Sequence, residues 1–282
     1  MEVLPKVYMI DTFKHVEENL IACYALNFEK AVLIDPGTQN SSNYLLEELK
    51  KLKIRPSFIA PTHVHIDHAG SAARLAKIFS AKILAHPRGA KHLANPEKLW
   101  EASKLVLKEV AEIYGKPESI DESEIIVVED GKNFDLGGDE LIVFHSPGHA
   151  PHMLSYYLKD LKVLFPADAV GMYFDGHLIP LTPPPFDFNS YIKTVERFKR
   201  MDIRYIAFTH FGLADKEVLE KAEEKIRSWF EIAKESDNLD QFSEKLMKDE
   251  DVKTFFEKYS KKKIALSFFT TSIPGLFEAA KK

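Results

Sequence analysis

Three histidines and one aspartate fall within six residues: His63, His65, Asp67 and His68, directly after the apolar run Phe58-Ile59-Ala60. Neutral imidazole and carboxylate are common ligands of divalent metals, and an ion gives such a crowded set a shared partner. His63, His65 and Asp67 alternate, so an extended backbone points them to one side, while His68 turns away at the start of the next element. Further along, His149 follows the apolar run Leu141 to Phe144, Asp168 follows Val163-Leu164-Phe165, and His210 follows Tyr205 to Thr209. Like His63, each stands just past the C-terminal end of a strand-like run, where rigid scaffolds present site residues. One zinc takes about four ligands. Seven candidates suit two ions that share a carboxylate and activate water together.

The elements that must position these residues follow from hydrophobic pattern and turn chemistry. Val7 to Ile10, Asn19 to Asn27 and Lys30 to Ile34 read as strands, the last ended by Asp35-Pro36-Gly37. A helix is expected from Ser41 or Ser42 through Leu52, and another from Gly70-Ser71 through Phe79. Ile83 to Ala85 is a short strand, and Arg88 to Gly115 is helical with a break near Asn95-Pro96. Ile125 to Val128, Leu141 to Phe144, Leu154 to Leu158 and Val163 to Phe165 are strands. Gly171 to Asn189, with four prolines, is expected as a loop. Ser190 caps a helix through Met201, and Tyr205 to Thr209 is the last strand before a charged helical segment. Within that segment Ile264 to Phe269 is the one stretch with strand character.

The ordered set His63-x-His65-x-Asp67-His68, Gly148-His149, Asp168 and His210, with the Ile34-Asp35-Pro36-Gly37 turn, resembles the metallo-β-lactamase fold superfamily over about residues 7 to 213. The resemblance implies an α/β fold, a four-layer αββα sandwich with the site at one edge of its two sheets. It implies residues 1–213 as the metallohydrolase domain and 214–282 as a helical C-terminal extension. Carried over position by position, His63, His65 and His149 hold one metal, Asp67, His68 and His210 hold a second, and Asp168 bridges. His65 is similar to the hydrolytic branches, the glyoxalase II-like and lactonase-like hydrolases; diiron flavoprotein reductases usually carry Glu there.

The expectation is therefore a binuclear metal-dependent hydrolase, a metal-bridging hydroxide attacking an ester, thioester or lactone carbonyl of a small molecule. Zinc is the default from the nitrogen and oxygen ligands, with iron or manganese able to occupy the same set. Asp67 is the candidate to orient the nucleophile or carry its proton. Tyr173 and His177, soon after Asp168, are candidates to contact substrate, Tyr173 also to stabilise the leaving group. Asp35 is weighed as support for the ligand loop or as a plain turn residue, and His145 and His152 as support or structure. Phe174, Phe186, Phe188 and Phe211 could line a pocket or fill the core. Two rivals share the scaffold: a phosphodiesterase or nuclease, and a persulfide dioxygenase-like enzyme with one iron. A partner-binding scaffold without activity is the third.

Composition bounds the partners. A net charge of −5 with basic residues spread along the chain argues against a nucleic-acid groove. A single cysteine, Cys23, rules out an internal disulfide and makes a reducing, cytoplasmic setting the default. No signal peptide is expected from Met1 to Lys6, and no apolar run approaches a membrane span. The C-terminal segment is expected to cap the pocket or to form a homodimer contact. Glyoxalase II hydrolases place a glutathione-binding helical region there, but its binding residues find no match in this chain.

Overall fold

The computed structural model describes residues 1–282. Its first sheet runs in chain order: β1 (Glu2–Leu4), β2 (Val7–Asp11), β3 (Ala22–Leu26), β4 (Ala31–Ile34), β5 (Pro56–Ala60), β6 (Lys82–Ala85) and β7 (Ile125–Val127). β1 to β4 are antiparallel neighbours, and β4 to β7 are parallel. The parallel part needs crossovers, supplied by helices α1 (Ser42–Leu52), α2 (Ala72–Phe79), α3 (Pro87–Ala94), α4 (Glu97–Leu107) and α5 (Glu109–Tyr114). The second sheet contains β8 (Asn133–Asp135), β9 (Glu140–His145), β10 (Leu154–Leu158) and β11 (Val163–Phe165). A separate hairpin of β12 (Met172–Phe174) and β13 (His177–Ile179) follows, then α6 (Phe188–Arg200) and the sheet's last strands, β14 (Tyr205–Phe208) and β15 (Gly212–Asp215). Four helices close the chain: α7 (Val218–Lys234), α8 (Leu239–Leu246), α9 (Glu250–Tyr259) and α10 (Lys263–Ala280).

Strand alternation sorts the layers. Ala22, Tyr24 and Leu26 face Leu141, Val143, Tyr156 and Phe165 across the two sheets. Cys23 and Ala25 face the other way, into Leu45, Leu49, Leu75 and Ala76 of α1 and α2. On the far side, Tyr157, Leu164 and Phe208 pack on Phe198, Leu219 and Ala222 of α6 and α7. The result is the expected αββα sandwich. The C-terminal helices share a further core with Phe13, Leu20, Tyr114 and Tyr191, so they pack onto the sandwich rather than beside it.

Four expectations are corrected. Gly171 to Asn189 is not all loop: residues 172–179 form a hairpin whose turn, Asp175-Gly176, has positive φ at both positions. That dipeptide is a type I′ hairpin signal and was readable. β15 follows β14 in the same sheet, so Tyr205 to Thr209 is not the last strand and the second sheet runs through position 213. Ile264 to Phe269 is helical, inside α10: its buried residues Ile264, Ala265, Phe268 and Phe269 recur at helical spacing and share one core. The helix assigned to Ser190 starts at Phe188, with the Asp187 side chain accepting from the Ser190 N–H at 3.1 Å.

Helix α10 is clamped at both ends over the sheet edge. The Glu17 carboxylate accepts from the Ile264 and Ala265 N–H groups, capping its first turn. Near its other end, a Cβ built on Gly275 would stand 2.1 Å from the Thr182 carbonyl oxygen. Gly→Ala inside a helix ordinarily gains up to about 1 kcal/mol. Gly275→Ala is expected to reverse that sign and to lose about 2 kcal/mol, since backbone cannot yield as a side chain can. Thermal unfolding checks it, and an unchanged or raised Tm would count against this packing.

Candidate metal centre

Each ligand candidate leaves the end of a strand at the same edge of the sandwich. His63, His65, Asp67 and His68 lie in the loop after β5, His149 lies between β9 and β10, Asp168 lies in the turn after β11, and His210 follows β14. Hydrogen bonds between the sheets fix this edge. The Leu154 N–H donates to Thr62 O at 2.7 Å and the Ala22 N–H to Thr209 O at 2.8 Å. The Tyr156 hydroxyl donates to Pro61 O at 3.0 Å.

The seven residues converge as two groups. His63, His65, His149 and Asp168 form one, and Asp67, His68 and His210 the other. In the first, His65 Nδ1 lies 2.9 Å from His63 Nε2 and 3.2 Å from His149 Nε2. In the second, His68 Nε2 lies 3.1 Å from His210 Nε2, and Asp67 Oδ2 stands 3.9 and 3.7 Å from those two nitrogens. Asp168 reaches both groups with different oxygens. Its Oδ2 is 3.3 Å from His149 Nε2, and its Oδ1 is 3.4 Å from His68 Nε2 and 3.5 Å from His210 Nε2.

The nitrogens facing away from the groups are anchored. The Nδ1 of His149 is 2.9 Å from Leu181 O, that of His210 is 2.6 Å from Leu20 O, and that of His63 is 3.0 Å from the Thr62 hydroxyl. His68 Nδ1 meets Asp35 Oδ2 at 2.9 Å. Such contacts fix the tautomer and aim the opposite nitrogen. Asp35 is thus a buried support of the ligand loop rather than a plain turn residue; it also accepts from Thr62 and Thr209.

Burial is the largest influence on His63, His65 and His149, and it lowers all three below the ordinary histidine range, into the neutral form that ligates. For His68 burial also opposes charge, but Asp168, Asp35 and Asp67 outweigh it and raise that histidine. Burial alone would raise Asp168; His68, His149 and His210 overcome it and hold the carboxylate ionised. Asp168 Oδ1 is nevertheless buried without a hydrogen-bond donor. Histidine nitrogens crowded about an ionised carboxylate whose Oδ1 finds no donor are a set that fits divalent cations.

The Tyr173 backbone N–H donates to His210 O at 2.5 Å, but the structure brings neither the Tyr173 nor the His177 side chain into the cluster or the pocket over it. Tyr173 stacks on Phe208 with ring centroids 5.1 Å apart, against the outer face of the second sheet. His177 pairs with Asp251 of α9 at 2.6 Å and stacks on Phe174. The tight hairpin turn folds both back toward the C-terminal helices. Lys225 and Lys221 join the same carboxylate. Burial raises the Asp251 pKa, but these partners bring it down to about 2. A carboxylate depressed from about 3.9 stabilises the fold above that value and loses the contribution as pH falls toward 2. Asp251→Asn is expected to cost roughly 2 kcal/mol at pH 7 and to flatten the acid limb of stability between about pH 4 and 2. Denaturant unfolding at several pH values tests this; a parallel curve at all pH values would refute it.

His145 is structural, its ring nitrogen 3.0 Å from Val128 O. His152 lies outside both groups, its ring 6.3 Å from those of His63 and His65. Above the ligands opens a pocket of about 220 Å³, reached by His65, Asp67, His149 and Asp168. Its walls come from α4 (Leu99, Val106, Leu107), from α10 (Phe268, Thr271) and from the segment Leu181–Pro184. The Phe268 ring lies 4.4 Å from that of His210. None of the four phenylalanines considered from the sequence lines it. The residues that do were invisible, because α4 and α10 meet there only through long-range packing.

Comparison with known proteins agrees with this geometry. The model of the Metallo-beta-lactamase superfamily matches residues 19–210. A metallo-beta-lactamase fold-containing protein of Sulfurisphaera tokodaii is 34% identical over 215 residues, 74% of this chain and 79% of the relative. The acyl-coenzyme A thioesterase MBLAC2 of Bos taurus is 29% identical over 149 residues, about half of each chain. Among solved structures, an archaeal metallo-beta-lactamase superfamily protein from Sulfolobus tokodaii superposes with a TM-score of 0.70 at 30% identity, over 78% of this chain and 86% of its own. A metallo-beta-lactamase family protein from Thermus thermophilus shares the fold over 99% of this chain and 94% of its own, with a TM-score of 0.67 at 18% identity.

Proposed function

The chain belongs to the metallo-beta-lactamase superfamily, and from that membership we propose that it is a binuclear metal-dependent hydrolase of small-molecule esters, thioesters or lactones. The observation that carries this reading is Asp168, which turns one oxygen to each group of histidines as a bridging carboxylate would. His63, His65 and His149 would hold one ion, Asp67, His68 and His210 the other. Zinc suits these nitrogen and oxygen donors, and iron or manganese would use the same set. When bound, such ions supply Lewis acidity and lower the pKa of water toward about 7.

The remaining chemistry belongs to the chain. Leu99, Leu107 and Phe268 shield the reacting carbonyl from bulk water and strengthen the local electrostatics. Asp67 lies at the floor of the pocket with its side chain 13% exposed. Its carboxylate can take the proton of the attacking water and return it to the departing oxygen or sulfur. The pocket presents no Lys or Arg, which favours a carbonyl over a phosphodiester. The thioesterase relative makes thioesters the first substrates to assay.

No helix is long and apolar enough to cross a membrane. The single buried Cys23 suits the cytoplasm, which we take as the working location. Elemental analysis of the purified chain tests the centre. About two zinc, manganese or iron ions per chain are expected. One iron per chain with sulfur-dependent oxygen uptake would replace the hydrolase with a dioxygenase.

A further inference from the structure

Few large apolar side chains of this protein face solvent. Leu105, at 83%, is the most exposed of them, and its neighbour Val106 is 56% exposed; no other two are adjacent in the chain. Both lie on the last turn of α4, and Val106 lines the pocket over the ligands as well as the shallow groove beside it. Leu107 and the half-buried Leu266 of α10 continue the same apolar surface. Single exposed apolar residues are ordinary, whereas an apolar rim joined to a pocket marks a contact surface. The unpaired charges at this rim are positive. Glu97 and Glu101 of α4 are engaged by Lys116 and Lys104, and Glu109 by Lys263. Lys98, Lys108 and Lys261 are exposed and have no carboxylate partner, on a chain whose net charge is −5. Lys98 stands on the same stripe of α4 as Ala102 and Leu105, four and seven residues on.

We propose that this rim docks on an anionic lipid surface. Leu105 and Val106 enter the boundary between headgroups and acyl chains, while Lys98, Lys108 and Lys261 stay at the level of the lipid phosphates. No helix is long enough to cross a membrane, and docking at the surface needs no span. A chain of net negative charge is repelled from such a surface in other orientations, so the rim also decides which side faces the lipid. The mouth of the pocket then opens toward the acyl chains, and its apolar walls, Leu99, Leu181 and Phe268, continue that environment inward. A second copy of the chain is the poorer occupant. Two exposed apolar residues fall far short of the roughly 800 Å² that each partner buries in a stable dimer. A two-fold contact would also bring the three free lysines of each copy together. The docking does not depend on the hydrolase reading, since it concerns the surface outside the ligands.

Co-sedimentation of the full-length, metal-loaded protein with lipid vesicles tests this. Vesicles of phosphatidylglycerol and phosphatidylcholine in equal parts are compared with vesicles of phosphatidylcholine alone. Binding to the anionic vesicles is expected to be stronger by about tenfold or more at low salt, with the gap narrowing as salt rises. Leu105→Ser should weaken it by about tenfold, and K108E/K261E by at least about tenfold. All three positions are exposed, so both variants should fold. Leu105→Trp reports insertion directly: its emission should shift to the blue on anionic vesicles, which adsorption by charge alone would not produce. Absent or equal binding to the two kinds of vesicle, or binding that Leu105→Ser leaves unchanged, would overturn the proposal. So would a dimer of the free protein, seen by analytical ultracentrifugation, that Leu105→Ser dissociates, because the rim would then belong to a second copy.

Discussion

Replacing Asp168 with Ala is expected to empty the centre of metal and to lower kcat/KM by at least about 10³-fold. The reason is electrostatic as much as geometric. Five imidazoles, four of them buried, surround this carboxylate, and at the centre of the set only Asp67 shares its charge. Two dications in so buried a place need anionic ligands close by, or their desolvation opposes binding. Asp168 supplies one charge to both groups, through Oδ2 on one side and Oδ1 on the other. Its loss should therefore weaken both sites rather than halve the occupancy. Asp168→Asn keeps the shape and removes the charge. It should behave nearly like the alanine if charge dominates, and should retain one ion if geometry dominates. Metal stoichiometry read beside turnover decides. Full turnover with an unchanged metal count in Asp168→Ala would end the bridging assignment.

All seven residues of the cluster were legible as candidates because their chemistry is local: a dense His/Asp run after a strand, and single His or Asp residues past three others. The elements were legible for a similar reason, since the apolar run of β3 and the helical spacing of α1 and α2 are short-range patterns, while their layering came from the family resemblance. The misplacement of Tyr173 and His177 has a physical cause. Their closeness in sequence to Asp168 carries no information on direction: the Tyr173 backbone pairs with His210, while the side chains turn to Phe208 and Asp251. The pocket walls were hidden for the opposite reason. Leu107 and Phe268 are far apart in the chain and meet only because Glu17 and Thr182 fix α10 across the sheet edge. Ligands announce themselves by type, whereas an apolar wall uses the same residues as any core.

Removal of Asp35 should separate support from ligation. Its fully buried carboxylate ties together the ends of β4, β5 and β14, drawn from both sheets. Oδ1 accepts from the Thr62 N–H at 2.7 Å and from the Thr62 hydroxyl at 2.9 Å. Oδ2 meets the Thr209 hydroxyl at 2.6 Å and His68 Nδ1 at 2.9 Å. Asp35→Ala leaves these buried donors without an acceptor, at about 1–3 kcal/mol for each group that finds no other. A net loss of about 4 kcal/mol, and a Tm lower by about 10 °C, is the expected result. Because His68 loses the partner that aims its Nε2, metal affinity at the second group should also fall by about 10- to 100-fold. The group of His63, His65 and His149 makes no contact with Asp35 except through Thr62, and should keep its ion more firmly. Asp168→Ala has no comparable donors to strand, since Asp168 Oδ1 accepts none. In metal-free protein it should therefore lower Tm less than Asp35→Ala does, through loss of the charge contacts with His68 and His149 alone. Unfolding of both variants in chelator, followed by metal titration, tests the contrast. An Asp35→Ala protein as stable as the parent, with both ions bound as tightly, would show that the carboxylate holds neither the strand ends nor His68.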